Sequence, residues 1–322
     1  MAMKFSFKTL LKILGYGALA IVLLLIGVVA FIFIRYPKAE APADITIERT
    51  PARLERGQYL VNQVLFCMNC HGERGCQLYS APVKPGTEGK GVFVDDPVRP
   101  AWSANITPFG IGEWSDGEVV RAITAGIKND GTALHPLMPF DSYAHFSLDD
   151  VYAVVAYLRT LQAIEHIVPE TKPRSVLEFL LLKVVARTLP EPYTPPPHPD
   201  ESDGVAYGKY LATIAECAVC HKSDFSGGAS FQNPPGQSIR AKNITPATTG
   251  IGIWSRENFI SVFKSFDNPE SRQLPVPESE ENTGMPWVQY AGMSERDLGA
   301  LYDYLRTVEP VETVADSAFV RE

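Results

Sequence analysis

The chain matches itself at an offset of roughly 140–150 residues, and that repeat is the strongest constraint on its fold. Gly57-Gln58-Tyr59-Leu60 returns as Gly208-Lys209-Tyr210-Leu211, and Cys67-Met68-Asn69-Cys70-His71 as Cys217-Ala218-Val219-Cys220-His221. Asn105-Ile106-Thr107-Pro108 returns as residues 243–246, and Gly110-Ile111-Gly112-Glu113-Trp114-Ser115 as Gly250-Ile251-Gly252-Ile253-Trp254-Ser255. Met138-Pro139-Phe140 corresponds to Met285-Pro286-Trp287, and Tyr157-Leu158-Arg159-Thr160 to residues 304–307. The order is kept throughout, so the chain is expected to hold two copies of one domain.

Each copy has the same coarse layout. A helix over about 53–66, or 205–216, leads into the cysteine motif. A Gly/Pro-rich loop follows, then a helix opened by Ser115-x-x-Glu118, a capping box. The last helix starts behind Ser147 or Ser294 as N-cap, and Val151, Val154, Val155 and Leu158 fall at helical spacing, as do Leu298, Leu301 and Leu305. Neither copy shows a convincing alternating strand, so the expected class is mostly α.

From Ile13 to Ile34 no residue carries a formal charge. At about 1.5 Å per residue this run is roughly 33 Å long, enough to cross a hydrocarbon core of about 30 Å. Three lysines precede it, so the positive-inside rule puts residues 1–12 in the cytoplasm and everything after Arg35 outside. The rival reading is a cleaved signal peptide, with Ala39-Glu40-Ala41 as its site, but the apolar run exceeds the usual h-region. Both readings export the rest of the chain. That exported part carries a net charge of −12, the reverse of the basic footprint of a nucleic-acid binder. The expected organisation is a cytoplasmic end (1–12), a transmembrane helix (13–34), a linker (35–50), a first domain (51–165), a Pro-rich linker (166–204), a second domain (205–312) and a tail (313–322). Within the Pro-rich linker, Val176 to Leu189 reads as a short helix packed between the domains or lying at the lipid surface.

C-x-x-C-H is the attachment signature of c-type haem. Two thiols three positions apart reach the two vinyl groups of one porphyrin, and the adjacent histidine faces the iron. A thioredoxin-like pair would need neither the histidine nor a second copy. A zinc site would have to gather Cys67, Cys70, Cys217 and Cys220 from two domains, and neighbouring cysteines could otherwise form disulfides in an oxidising compartment. Two in-register copies favour haem.

For the sixth ligand, Met68 lies inside an attachment motif and points away from its own iron. Met138 and Met285 stand at equivalent places ahead of the final helix, while Met293 has Phe146 at its corresponding place in the first copy and reads as a core or helix-entry residue. His135 is the competing ligand in the first copy, and the second copy has no histidine there. A thioether raises the reduction potential by favouring ferrous iron. Trp114 and Trp254 read as haem-edge or core aromatics, and Asn105 and Asn243 as holders of a propionate or ligand loop, or as plain turn residues. Cys76 reads as an inert thiol, and His145, His166 and His198 as surface or structural groups.

Taken together, each half resembles a class I cytochrome c domain, by C-x-x-C-H, Met-Pro and the Gly-x-Tyr-Leu and Tyr-Leu-Arg helices. The Asn-Ile-Thr-Pro, Gly-Ile-Gly-x-Trp-Ser and Met-Pro-aromatic combination resembles the cytochrome subunits of membrane-bound alcohol and gluconate dehydrogenases and related membrane-anchored dihaem cytochromes. The resemblance covers about residues 51–165 and 205–312. It implies covalent haem c at Cys67/Cys70 and at Cys217/Cys220, with axial ligands His71 and Met138, and His221 and Met285. The chain departs from those subunits in having two attachment motifs rather than three, and in its N-terminal span. The expected protein is mostly α: one transmembrane helix, then two tandem cytochrome c-like domains in the periplasm of a bacterial inner membrane. Its expected task is single-electron transfer, as a wire or as a subunit of a respiratory, photosynthetic or dehydrogenase complex, with no catalytic residue of its own. The alternative is a dihaem redox enzyme, peroxidase-like or thiosulfate-oxidising, with one open haem; a third reading is a structural anchor for a dehydrogenase.

Overall fold

The computed structural model describes residues 7–35, 41–96, 100–169, 171, 193–232, 238–277, 280 and 282–313. Helix α1 (Phe7–Arg35) is 29 residues long, and its side chains are exposed along nearly its whole length. An apolar helix of this length has no reason to stay out of the core in water, and it is long enough to cross a membrane. It starts six residues before the uncharged run, taking Lys8 and Lys12 into its first turns.

The first copy folds as α2 (Pro51–Tyr59), α3 (Cys67–His71), α4 (Pro108–Ile111), α5 (Asp116–Ala125), α6 (Phe140–Tyr143) and α7 (Leu148–Leu158). The second follows as α8 (Gly204–Ile214), α9 (Cys217–His221), α10 (Arg256–Lys264), α11 (Trp287–Tyr290) and α12 (Glu295–Leu305). The serine caps form as the sequence requires. Ser115 Oγ accepts from the Glu118 amide while Glu118 accepts from the Ser115 amide. Ser147, Ser255 and Ser294 each accept from the amide three residues on.

The mostly α class holds, and one helix and two loops add detail to it. The helix expected over 53–66 is α-helical only to Tyr59; Leu60–Val64 then forms a π turn, closed by the Leu65 amide donating to the Leu60 carbonyl at 2.8 Å. Such a turn inserts an extra residue into the helical repeat, and it puts Leu60, Val61 and Val64 all in the core. The chain is also not free of strands. Antiparallel pairs Phe93–Val94 with Ala101–Trp102, and Ser230–Gln232 with Ser238–Arg240, occupy corresponding loops of the two copies. Segments of two or three residues are too short to show an alternation. The stretch Val176–Leu189 lies outside the described residues.

In each half the opening and closing helices cross, α2 on α7 and α8 on α12. The crossing depends on glycine. A Cβ at Gly57 would run into the carbonyl oxygen of Ala153, and one at Gly208 into that of Ala300. Behind the crossing, Arg159 donates to the Ile111 and Trp114 carbonyls, and Arg306 to the Gly252 carbonyl at 3.0 Å. The recurring arginine therefore ties the end of the closing helix to the Gly-Ile-Gly-x-Trp loop.

The halves meet through a reciprocal exchange of the kind a twofold axis generates. Tyr59 donates to Asp297 Oδ2 at 2.6 Å, and its counterpart Tyr210 donates to Asp150 Oδ2 at 2.6 Å. Each tyrosine oxygen also accepts a capping-serine amide, Ser294 and Ser147 respectively. Arg56 adds a bidentate pair to Asp150, at 2.8 and 2.9 Å. One apolar core, containing Leu60, Phe146 and Val151 from the first half and Leu211, Met293 and Leu298 from the second, runs through both.

Candidate haem-binding site

In the first half the predicted residues converge. Cys67, Cys70, His71 and Met138 all line one apolar cleft, walled by Leu65, Phe146 and Val154 among others. The helical turn of α3 puts Cys67 and Cys70 on one face, three residues apart, with His71 at its end. The Met138 amide donates to the His135 carbonyl at 3.0 Å, so a tight turn carries the thioether toward the cleft. His135 instead engages its own loop, its Nδ1 accepting from the Leu137 amide at 3.2 Å.

Each motif histidine is oriented by a backbone carbonyl. His71 Nδ1 lies 2.7 Å from the Ala104 oxygen, and His221 Nδ1 lies 2.7 Å from the Lys242 oxygen. A carbonyl only accepts, so Nδ1 carries the proton and the Nε2 lone pair faces away, available to a metal. Burial pushes both imidazoles below their ordinary value, while the carbonyl contact pulls the other way, and a neutral ring is the form that ligates. Burial likewise pushes Cys67 and Cys217 up to about 12 and Cys70 up to about 11, so these thiols are held protonated.

The Asn-Ile-Thr-Pro segments explain how those carbonyls are held. Asn105 donates to the Ile164 and His166 carbonyls, at 2.9 and 3.1 Å, and its oxygen accepts from both the amide and the hydroxyl of Thr107. Asn243 repeats this with the Val311 carbonyl at 2.8 Å and with Thr245. Each asparagine thus pins the strand whose preceding residue orients the histidine. The two carbonyls themselves were invisible to sequence reading, because backbone atoms leave no residue signature; the repeated Asn was their signal.

Met285 sits at the edge of the second half, its amide donating to Thr283 Oγ1 at 3.1 Å and its carbonyl accepting from Ser80 of the first half at 2.9 Å. Asn282 ties the same loop to the first half, accepting from the Ser80 amide and donating to the Cys76 and Leu78 carbonyls. The next helix reaches across as well: Gln289 accepts from Asn69 of α3 at 2.7 Å and donates to the Leu65 carbonyl at 2.6 Å. Met293 is fully buried in the core, as read, and Met68 is buried away from the cleft. Trp114 and Trp254 pack against the core, and their carbonyls serve the closing helix, Trp254 accepting from Tyr302 at 2.7 Å.

The residues present fit haem c: two thiols on one helical face, a neutral imidazole with Nε2 free, and a thioether across an apolar cleft. Residues 205–309 match the cytochrome c family. The fructose dehydrogenase cytochrome subunit of Gluconobacter japonicus is 30% identical over 304 residues, 84% of this chain and 57% of that protein. The cytochrome c subunit of the quinone alcohol dehydrogenase of Gluconacetobacter polyoxogenes is 26% identical over 84% of this chain and 59% of its own length. The gluconate 2-dehydrogenase cytochrome c subunit of Pantoea cypripedii is 26% identical over 64% of this chain and 49% of its own. The chain thus spans about half the length of these relatives, which are named as cytochrome subunits rather than catalytic ones. Residues 205–309 thus match the cytochrome c family, within a chain similar along most of its length to proteins named as cytochrome c subunits of dehydrogenases.

Proposed function

We propose that the chain is a membrane-tethered two-haem electron carrier, with haem domains over about 51–165 and 205–312. The observation that carries this reading is the cleft of the first half, where Cys67, Cys70, His71 and Met138 face one apolar space while Ala104 holds the imidazole in its ligating tautomer. The repeat supports the same assignment at Cys217, Cys220, His221 and Met285. His71 with Met138, and His221 with Met285, would hold the iron of a haem c from both sides, and the group would supply one-electron exchange between ferrous and ferric iron without an open site for a substrate. The protein's part is to hold and insulate. The cysteines fix the ring, the carbonyls of Ala104 and Lys242 fix the imidazoles, and apolar walls keep water from the first site.

The charge asymmetry around α1 supports placing the haem domains on the periplasmic side. The names of the relatives support a dehydrogenase as electron donor, with this chain passing electrons onward and oxidising no organic substrate itself. The acidic exported part suits a basic docking surface on its partner.

The test is spectroscopic. Purified protein is expected to carry two haems per chain by pyridine haemochrome, with a thioether-to-ferric-iron charge-transfer band. Met138→Ala and Met285→Ala should each remove about half of that band. A band left intact by either change refutes that ligand, and readily formed carbon monoxide adducts refute the closed-site reading. Recovery of a dehydrogenase subunit on purification from native membranes would fix the partner.

A further inference from the structure

The two attachment motifs lie close together, and the carboxyl of Glu216 acts on the cysteines of both. Phe66, just before Cys67, meets Tyr290 edge-on with ring centroids 6.1 Å apart. Tyr290 in turn donates to the Ala215 carbonyl at 3.1 Å, two residues before Cys217. At the position equivalent to Phe66 the second copy has Glu216. The repeat is broken there in two ways: a carboxyl replaces an aromatic ring, and the backbone turns to φ +57°, whereas Phe66 has φ −83°. A non-glycine residue in the left-handed region is uncommon, and such an outlier beside a functional site asks for a reason.

Glu216 is partly buried against groups from both halves. Its charge acts on Cys67 and Cys70 of α3, on Cys217 and Cys220 of α9, on Tyr143 of α6 and on Tyr290 of α11. From α6 it also faces Asp141, whose charge opposes its ionisation, and Ser142, whose hydrogen bond favours it. No other residue described here acts on all four attachment sulfurs.

We infer that Glu216 is a positioning residue for charge, an inter-haem carboxyl whose ionisation lowers the reduction potentials of both haems together. The inference rests on the two-haem reading. An iron porphyrin loses one positive charge when it gains an electron, so a carboxylate nearby favours the ferric form, and a neutral carboxyl or amide does not. By linkage, adding an electron to either iron raises the affinity of Glu216 for a proton, which solvent supplies. Burial, then Asp141, pushes this carboxyl up to about 7, so its charge changes within the working range. The sign follows: below that pH the group is neutral and potentials are high, and above it the group is ionised and both fall.

The experiment is spectroelectrochemical titration of the intact protein in detergent at pH 5.5 to 8.5, beside Glu216→Gln. Haem count and the charge-transfer band are read first. Two haems with both bands present sustain the functional reading, and fewer in the wild type would sink that reading on its own. Given two haems, wild-type potentials should fall in parallel across neutral pH. Glu216→Gln should raise both at pH 8 to the wild-type acid level and abolish the dependence. A dependence that survives in Glu216→Gln, or a shift confined to one haem, overturns the inference. Asp141→Asn is the second variant: its loss of charge should move the wild-type transition to lower pH, and an unmoved transition counts against Glu216 as the titrating group.

Discussion

Asp150 is the most heavily loaded polar group between the halves, and its neutralisation gives a quantitative test of how they are joined. It is 2% exposed and accepts from Arg56 twice, at 2.8 and 2.9 Å, and from Tyr210 at 2.6 Å. In Asp150→Asn one acceptor becomes a donor and the guanidinium loses its counter-charge. Breaking a buried ion pair from one side costs about 3–5 kcal/mol. The Arg56 side chain keeps 26% of its surface in water and can partly resolvate, which places the cost near the low end, at about 3 kcal/mol. For a chain of this size that lowers Tm by about 6–12 °C. Asp297→Asn is the internal control. It accepts from Tyr59 at 2.6 Å and from Tyr207 at 3.5 Å with no bidentate arginine, so its loss should cost about 1–3 kcal/mol. Thermal unfolding of the haem-loaded protein would be followed in the Soret region and by near-UV circular dichroism. Arg56→Gln and the double variant complete a cycle, with an expected coupling of at least about 1 kcal/mol. If Asp150→Asn is no worse than Asp297→Asn, or if the Arg56 cycle is additive, the account of the junction is wrong.

Two further outcomes are expected. Gly208→Ala should destabilise by more than the usual overpacking cost of about 1–3 kcal/mol, because the added methyl meets the rigid carbonyl of Ala300, and denaturant midpoints would show it. Asn243→Ala strands the Val311 carbonyl and the Thr245 amide and should cost about 1–3 kcal/mol. It should also shift the potential of the second haem, by loosening the Lys242 carbonyl from His221; an unchanged potential would detach the Asn motif from the ligand.

Much of the site was legible because covalent attachment demands residue types at fixed spacing: Cys67, Cys70 and His71 need no tertiary context to be found. Serine caps were legible for the same reason, being local contacts over three residues. The junction was not. Tyr59 and Asp297 are 238 positions apart, and neither residue type announces a partner, although their places in the repeat hinted that both mattered. The hairpins near Phe93 and Ser230 were too short for periodicity to register. Glu216 was in plain view as the acidic residue just ahead of the second cysteine motif, where the first copy has Phe66. It went unread because matching weighs what two copies share and passes over where they differ.

The contacts of Ser80 and Asn282 with the Met285 loop have a consequence for modularity. A repeat of this kind invites the idea that either half could be excised, shuffled or expressed alone as a one-haem unit. Here the loop that presents the second thioether is fastened by the first half, across more than two hundred residues of sequence. A fragment beginning after the proline-rich stretch would keep Cys217, Cys220 and His221 but lose the scaffold of the Met285 loop, the proposed distal ligand. The two look-alike parts are tied by these contacts into one device.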